Sequence, residues 1–98
     1  MKIEMKGIVS HVGEILTKKN NLKTRTVLIK KNFTDDFGQI KFSLYPMQIV
    51  GEDVDKIILQ KNDAVDILAY LNCQEYEGKY FLSIRLKKAS VLIPSPVK

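Results

Sequence analysis

Two stretches of this sequence alternate apolar and polar residues along their length, and one tight turn separates them. Apolar side chains recur at every second position over residues 65–73 and again over residues 80–86. A period of two residues is typical of a strand that buries one face, and Glu77-Gly78 is a turn signal. The sequence therefore predicts a long antiparallel hairpin, in which Cys73 is a buried apolar residue rather than a nucleophile.

Three further strands are predicted before this hairpin, over residues 7–16, 23–31 and 40–45. The first two are rich in β-branched residues, which favour strands, and the third again alternates. Pro46 has no N–H to donate to a sheet, so we expect it to end the third strand. The apolar residues at positions 40, 42 and 44 are expected to face the core, so that Lys41 and Tyr45 face outward.

One helical segment is predicted between the third and fourth strands. The apolar residues on its face follow the spacing i, i+4, i+7, i+8: Val50, Val54, Ile57 and Ile58. Three strands, one helix and two strands is the element order of the OB-fold, a partly open Greek-key barrel. We therefore predict an all-β, five-stranded OB-fold barrel with one short helix over residues 1–93, and a short tail at 94–98. An SH3-like barrel, which does not ordinarily carry a three-turn helix at this place, ranks second, and a split α+β sandwich third.

Length and composition exclude several functional classes. A chain of 98 residues builds one modest core, and its longest apolar run, residues 67–71, is far shorter than the about 20 residues of a membrane span. One cysteine and one histidine can neither form an internal disulfide nor complete a zinc site. No catalytic triad, paired-carboxylate spacing or glycine-rich phosphate loop stands out. We expect no enzyme activity, metal, cofactor or membrane contact and, because the N-terminal residues lack a secretory signal, a cytoplasmic protein.

The charge of the chain is unevenly distributed. The net charge is +5, but residues 15–34 include six basic residues and no acid, and the chain after Glu77 has five basic residues and no acid. Acidic residues cluster instead between positions 52 and 66. Two acid-free blocks in one short chain suggest a basic surface suited to a polyanion, with the acidic elements on the far side.

Rings beside basic residues suit single-stranded nucleic acid, because rings stack on bases and cations contact phosphates. Tyr45 is predicted to lie beside Lys41, Phe81 to share a face with Arg85, and Tyr76 to lie at the hairpin turn. As alternatives, Tyr45 caps the core edge, Phe81 packs against the tail or a second subunit, and Tyr76 braces the turn. OB-folds bind oligonucleotides across their second and third strands. The basic residues of the first loop, which precedes the second strand, are therefore added to the predicted binding site. The predicted nucleic-acid-binding residues are Lys18, Lys19, Lys23, Arg25, Lys41, Tyr45, Tyr76, Lys79, Phe81 and Arg85.

Three segments carry a resemblance to a known family: residues 38–45, residues 61–67 and an aromatic-x-Gly-basic-aromatic hairpin at 76–81. In order and spacing they resemble the bacterial and phage single-stranded DNA-binding protein family, over residues 4–92. The resemblance implies an OB-fold, base stacking by Tyr45 and Tyr76, phosphate contacts by Lys41 and Lys79, and assembly into dimers or tetramers. Unlike many members, the sequence has no tryptophan and ends on Pro-Ser-Pro-Val-Lys, so we do not expect recruitment of partner enzymes through an acidic tip.

The sequence therefore predicts a homodimer or homotetramer that binds single-stranded DNA with little sequence preference, in DNA replication, recombination or repair. The first strand, with Ile8, Val9 and Val12, offers a pairing edge. RNA is an alternative ligand, although the sequence lacks the closely spaced aromatic clusters of cold-shock barrels. The second hypothesis is an OB-fold adaptor or homo-oligomeric scaffold without nucleic-acid binding, which exposed Phe81 and Leu68 would favour.

Overall fold

The computed structural model describes residues 1–94, and the predicted tail at 94–98 lies outside that range except for Pro94. Six strands and one helix follow one another: β1 (Lys2–Val12), β2 (Leu16–Thr17), β3 (Lys23–Thr34), β4 (Ile40–Val50), α1 (Asp53–Lys56), β5 (Ala64–Tyr76) and β6 (Lys79–Ile93). The five predicted strands are present, and β2 is a two-residue addition between the first two. Within residues 1–94 no helix has the length and apolar character needed to span a membrane.

The five long strands close into a barrel. β1 pairs with both β3 and β5, β3 pairs with β4, and β5 pairs with β6, all in antiparallel fashion. β4 and β6 complete the ring as parallel neighbours that meet at a single residue pair, Gln48 and Arg85. This strand order, with the helix between β4 and β5, is that of the OB-fold. The fold predicted from the sequence is confirmed.

Alternate residues of the long strands fill the barrel. The fully buried side chains come from all five of them: Val9, Val27, Ile29, Met47, Ile49, Val65, Ala69 and Leu86. α1 and the loop after it contribute Val54, Ile57 and Leu59 to the same core. Truncating a buried isoleucine, leucine or methionine to alanine costs about 2–5 kcal/mol, so the stability of the protein resides in this cluster.

Gly7 marks a close approach between two strands. It lies where β1 passes from its pairing with β5 to its pairing with β3. A Cβ at this position would lie 2.8 Å from the carbonyl oxygen of Lys30 and 2.7 Å from Cγ2 of Ile29. Because protein interiors are close-packed, a larger residue would push β1 away from β3. Closure of the barrel therefore depends on glycine, which has no side chain, at this position.

The helix is shorter than predicted. α1 has four residues, one turn rather than three. Gly51 takes a left-handed conformation with φ of 68°, which bends the chain just before α1, and Ile57 is already extended after it. Val54 and Ile57 are buried as the periodicity predicts, but Ile58 is exposed, because the helical spacing no longer applies once the chain is extended.

β4 runs through Pro46 instead of ending there. Pro46 lies opposite Leu28 of β3, and at this point β4 has no strand partner on its other side, because β6 reaches it only at Gln48. A proline is tolerated in a strand that has one free edge. The strand beyond the proline carries Met47 and Ile49 into the core, and these two residues decide which face of β4 is buried.

Two hairpins extend beyond the core. The β3–β4 hairpin (residues 31–42) and the β5–β6 hairpin (residues 72–82) consist almost entirely of exposed residues. Because β4 and β6 are parallel, both hairpin turns lie at the same end of the barrel. Cys73, which was expected to be buried, is exposed, because β5 has left the barrel at that position.

The predicted pairing edge of the first strand is used inside the barrel. Ile8, Val9 and Val12 all pair with residues of β3. The N-terminal part of β1, from Lys2 to Gly7, pairs with β5 on one side, and β3 does not reach it on the other. If a second copy pairs with β1, it does so along this N-terminal part.

Candidate nucleic-acid interface

One face of the β5–β6 hairpin presents rings and basic groups in register. Four cross-strand pairs define this hairpin face: Tyr76–Lys79, Gln74–Phe81, Asn72–Ser83 and Tyr70–Arg85. Successive pairs are two residues apart on both strands, about 6.7 Å per step, and therefore share one face of the ribbon. The structure thus brings together four of the predicted binding residues, namely Tyr76, Lys79, Phe81 and Arg85.

The hairpin face leads into a trough on the surface of β4, β5 and β6. Two adjoining cavities of about 490 Å³ and 320 Å³ form the trough, and Gln48, Leu71 and Ser83 line both of them. The larger cavity, called here the polar half, continues the hairpin face from Gln74 to Arg85. The smaller cavity, called the apolar half, lies where β4 and β6 separate.

Arg85 is the central cation of this trough. Its cross-strand partner is Tyr70, which is exposed, and its neighbour on β4 is Gln48. Lys87 also lines the polar half, but its Nζ lies 3.6 Å from a carboxylate oxygen of Asp53. Among residues 1–94 no carboxylate forms an ion pair with Arg85. Arg85 is therefore free to bind an external anion, and a guanidinium can donate two parallel hydrogen bonds to a phosphate.

The predicted orientation of β4 is wrong. Tyr45 is half-buried against the core, on the same face as Met47 and Ile49, whereas Phe42 and Leu44 are exposed. The period of two holds along the strand, but Met47 and Ile49 set the buried face, and a shift of one residue reverses every side chain. Tyr45 therefore caps the edge of the core, which was the alternative interpretation of this residue.

Lys41 is held by the turn of its own hairpin. Its Nζ lies 3.1 Å from Oδ2 of Asp35, and Oδ1 of Asp35 accepts hydrogen bonds from the backbone N–H groups of Phe37 and Gln39, both at 2.9 Å. These partners, above all the N–H of Gln39, hold the pKa of the Asp35 carboxyl below its usual range, although partial desolvation opposes them. Lys41 helps to order the turn and is not a free phosphate ligand.

The outer face of the β3–β4 hairpin presents a ring and a cation that the sequence analysis missed. Nζ of Lys30 lies 4.7 Å from the centroid of the Phe42 ring. Leu44, which pairs with Lys30 across the strands, is exposed beside them. An exposed cation–π contact contributes about 0.5–1 kcal/mol, so Lys30 is only weakly held. Phe42 was overlooked because it had been assigned to the core.

The basic residues of the first loop lie at the other end of β3. Lys18 and Lys19 are exposed in the turn before β3, and Nζ of Lys23 lies 3.9 Å from Oδ2 of Asp55. β3 has 12 residues, so its two ends are about 36 Å apart at about 3.3 Å per residue. Arg25 is half-buried on the core-facing side of β3, opposite a buried residue of β4. The first loop is therefore far from the tip of the β5–β6 hairpin, but it approaches the Arg85 end of the hairpin face: the cavity that Lys23 lines and the cavity that Arg85 lines share Leu22, Gly51 and Glu52.

An acidic turn lies between the basic residues of the hairpin face and those of the first loop. Glu52 and Asp53 line a shallow cavity together with Arg85 and Lys87, next to the polar half of the trough. Asp53 pairs with Lys87, and Asp55 pairs with Lys23. The expectation that acidic elements lie on the far side is therefore wrong for α1, whose carboxylates mark one end of the trough.

The OB-fold of this chain is shared with known proteins. The single-stranded DNA-binding protein from Thermus aquaticus superposes with a TM-score of 0.74 and 15% identity, over 93% of this chain and 49% of that chain. The mitochondrial single-stranded DNA-binding protein Rim1 from S. cerevisiae superposes with a TM-score of 0.71 and 20% identity, over 97% and 98% of the two chains. This chain thus spans about half of the Thermus protein and nearly all of Rim1.

PriB proteins share the fold as well. The N-terminal domain of PriB from Thermoanaerobacter tencongensis, whose structure is described as dimeric, superposes with a TM-score of 0.63 and 16% identity, over 93% and 94% of the two chains. No family model matches the sequence, and no curated protein matches it. At these identities the likeness establishes the OB-fold, and the function has to be argued from the interface itself.

Proposed function

We propose that this protein binds single-stranded DNA with little sequence preference and catalyses no reaction. The observation that supports this proposal is the hairpin face, on which rings and basic groups lie in register and which continues into the trough. Arg85, at the centre of the trough, has no carboxylate partner among residues 1–94. Single strands offer unstacked bases and a phosphate backbone, and this face supplies a partner for each. The names of the Thermus and yeast proteins of the same fold support this choice of ligand.

Little sequence preference follows from the kind of contact. Tyr70, Tyr76 and Phe81 are exposed rings on the hairpin face, and every base has a face that stacks on such a ring. Lys79 and Arg85 would contact phosphates, which are the same at every position. Lys18, Lys19 and Lys23 would contact phosphates only of a DNA strand that is long enough to pass the acidic turn of α1. Tyr45, Arg25 and Lys41 are left out of the proposed site because of their burial or their ion pair.

The proposal includes a biological role and an assembly. A nonspecific single-strand binder protects exposed strands during DNA replication, recombination or repair, and we place it in the cytoplasm. We propose a homodimer or homotetramer that uses the free part of β1, where Lys2, Glu4 and Lys6 alternate in charge. Opposite charges across an antiparallel strand pair stabilise it by about 0.2–1 kcal/mol per pair.

The direct test is a fluorescence anisotropy titration of a labelled dT oligonucleotide at several salt concentrations. If about four to six phosphates are contacted, the logarithm of the association constant falls against the logarithm of salt with a slope of about −3 to −4. Competition with an RNA oligomer of the same length decides between DNA and RNA. Failure to bind the dT oligonucleotide at low salt would refute the proposal.

A protein-interaction adaptor is the second candidate, and one observation favours it. At the tip of the β3–β4 hairpin Phe37 is 90% exposed and Ile40 is 79% exposed, which gives this tip an apolar character. Contiguous exposed apolar groups often mark protein-binding surfaces. An adaptor would show only weak oligonucleotide binding that moderate salt abolishes, so the same titration separates the two functions.

A further inference from the structure

The apolar half of the trough is a seam between two strands that have no strand between them. β4 and β6 run parallel and pair only at Gln48 and Arg85. Toward the hairpin tips they separate, so that Pro46 on β4 and Leu82 on β6 line opposite sides of the opening. The floor is apolar, because Ile84 packs against the core at this point. Leu82, by contrast, leaves 71% of its surface exposed, so this wall is uncovered.

The seam has room for a flat ring. Its volume is about 320 Å³, whereas a buried apolar cavity of about 150 Å³ is enough to bind benzene. By volume, the seam therefore has room for a pyrimidine or a purine. Its walls, Pro46 and Leu82, are aliphatic, so a base held there would contact aliphatic side chains and not another aromatic ring.

Polar groups at the rim match the edge of a base. Thr26, Gln48 and Ser83 line the seam, and a glutamine amide or a hydroxyl can both donate and accept hydrogen bonds. Each of the four bases offers donors or acceptors that such groups satisfy. Arg85 lies next to Gln48 across the strand pair, which puts a free positive charge at the mouth of the seam.

We propose that the seam takes one nucleobase out of a bound single strand, with an adjoining phosphate on Arg85. This inference rests on the proposed function and adds to it a discrete pocket between β4 and β6, apart from the stacking rings of the hairpin face. An apolar slot beside an unpaired guanidinium is complementary to a nucleotide, which is apolar on its ring faces and negative at its phosphate.

The experiment compares two leucine variants on the same strand. Leu82→Ala removes one wall of the seam, and Leu92→Ala, at 51% exposure, removes an exposed leucine from the other end of β6. Covering roughly half of a leucine side chain with a base is worth about a tenfold change in Kd. We expect Leu82→Ala to weaken binding of a dT oligonucleotide about tenfold, and Leu92→Ala to leave it within about twofold. The salt slope should stay unchanged in both, because no phosphate contact is lost.

A second ligand separates the base from the backbone. An oligonucleotide of abasic sites keeps every phosphate and offers no ring, so Leu82→Ala and the wild type should bind it equally. In addition, a 2-aminopurine base in the dT strand should brighten on binding the wild type, because it leaves its stacked neighbours for aliphatic walls, and should brighten less with Leu82→Ala.

The outcomes distinguish the inference from the function on which it rests. If the wild type binds dT with the expected salt slope but Leu82→Ala binds equally well, the seam proposal is overturned and the proposed function stands. If the wild type does not bind dT, the function itself fails. If Leu82→Ala leaves dT binding unchanged and converts an oligomer to a monomer in sedimentation equilibrium, the seam holds a second copy of the chain, which also overturns the proposal.

Discussion

The stacking role proposed for the hairpin face can be tested with two neighbouring aromatic residues that point to opposite faces. Phe81 lies on the hairpin face, whereas Tyr80 lies on the other face of the same ribbon. Phe81 is 54% exposed and Tyr80 is 71% exposed. Both are outside the core, so replacing either by alanine leaves folding intact. Phe81→Ala should weaken binding of a dT oligonucleotide more than Tyr80→Ala, because Tyr80 lies outside the hairpin face, on the side of β6 that carries Leu82.

The magnitude follows from the exposed area of Phe81. An aromatic side chain has about 200 Å² of surface, so the exposed 54% corresponds to about 110 Å². A base stacked on one ring face covers about half of this, and at about 25 cal/mol per Å² the lost contact amounts to about 1.4 kcal/mol, or about tenfold in Kd. Measured stacking contributions of about 1–3 kcal/mol per base bracket this value.

The assay is an anisotropy titration with a dT oligonucleotide of about 15 nucleotides, near the upper end of the site size of one OB-fold. Urea unfolding of both variants serves as the folding control and should give the wild-type midpoint within error. Equal affinity of Phe81→Ala and the wild type, or equal losses in Phe81→Ala and Tyr80→Ala, would refute the assignment of the hairpin face.

Three further predictions address the acidic turn, the hairpin turn and barrel closure. Asp53→Asn frees Lys87 beside the trough, so it should tighten oligonucleotide binding about threefold and steepen the salt slope by about 0.7, whereas Asp66→Asn, with the same charge change on β5, should do less. Since the pKa of Asp35 is lowered, its bonds stabilise the hairpin turn above the ordinary carboxyl pKa and are lost as the pH falls through the lowered value; amide NMR shifts of the turn should move only below about pH 4. Gly7→Ala should lower the free energy of unfolding by about 1–3 kcal/mol in urea, and an unchanged midpoint would contradict the close approach.

The strands of this barrel were predictable because each carries enough alternation to show its period. The orientation of β4 was not, because a proline was taken as the end of the strand. Only the residues after Pro46, namely Met47 and Ile49, show which face is buried. Whether a proline ends a strand depends on the partner at its other edge, and here β6 has already separated from β4. The separation of β6 from β4 is a feature of the tertiary structure, and the local sequence pattern does not indicate it.

The part of the candidate site whose position depends only on strand register could be predicted from the sequence. Tyr76, Lys79, Phe81 and Arg85 lie close in sequence on two strands joined by a tight turn, so pairing brings them to one face. The position of the basic residues of the first loop depends on the length and direction of β3, which carries them away from the tip of the β5–β6 hairpin and toward its Arg85 end. The pairing of Lys41 with Asp35 depends on a turn conformation, and charge counting treats such a lysine as free.

The position of residues 72–82 outside the barrel has an evolutionary consequence. Their side chains contribute little to the packed interior, so exchanging them would change the proposed interface while the melting temperature of the protein stays nearly the same. Selection for a different ligand can therefore act on this ribbon without first finding a compensating change in the core.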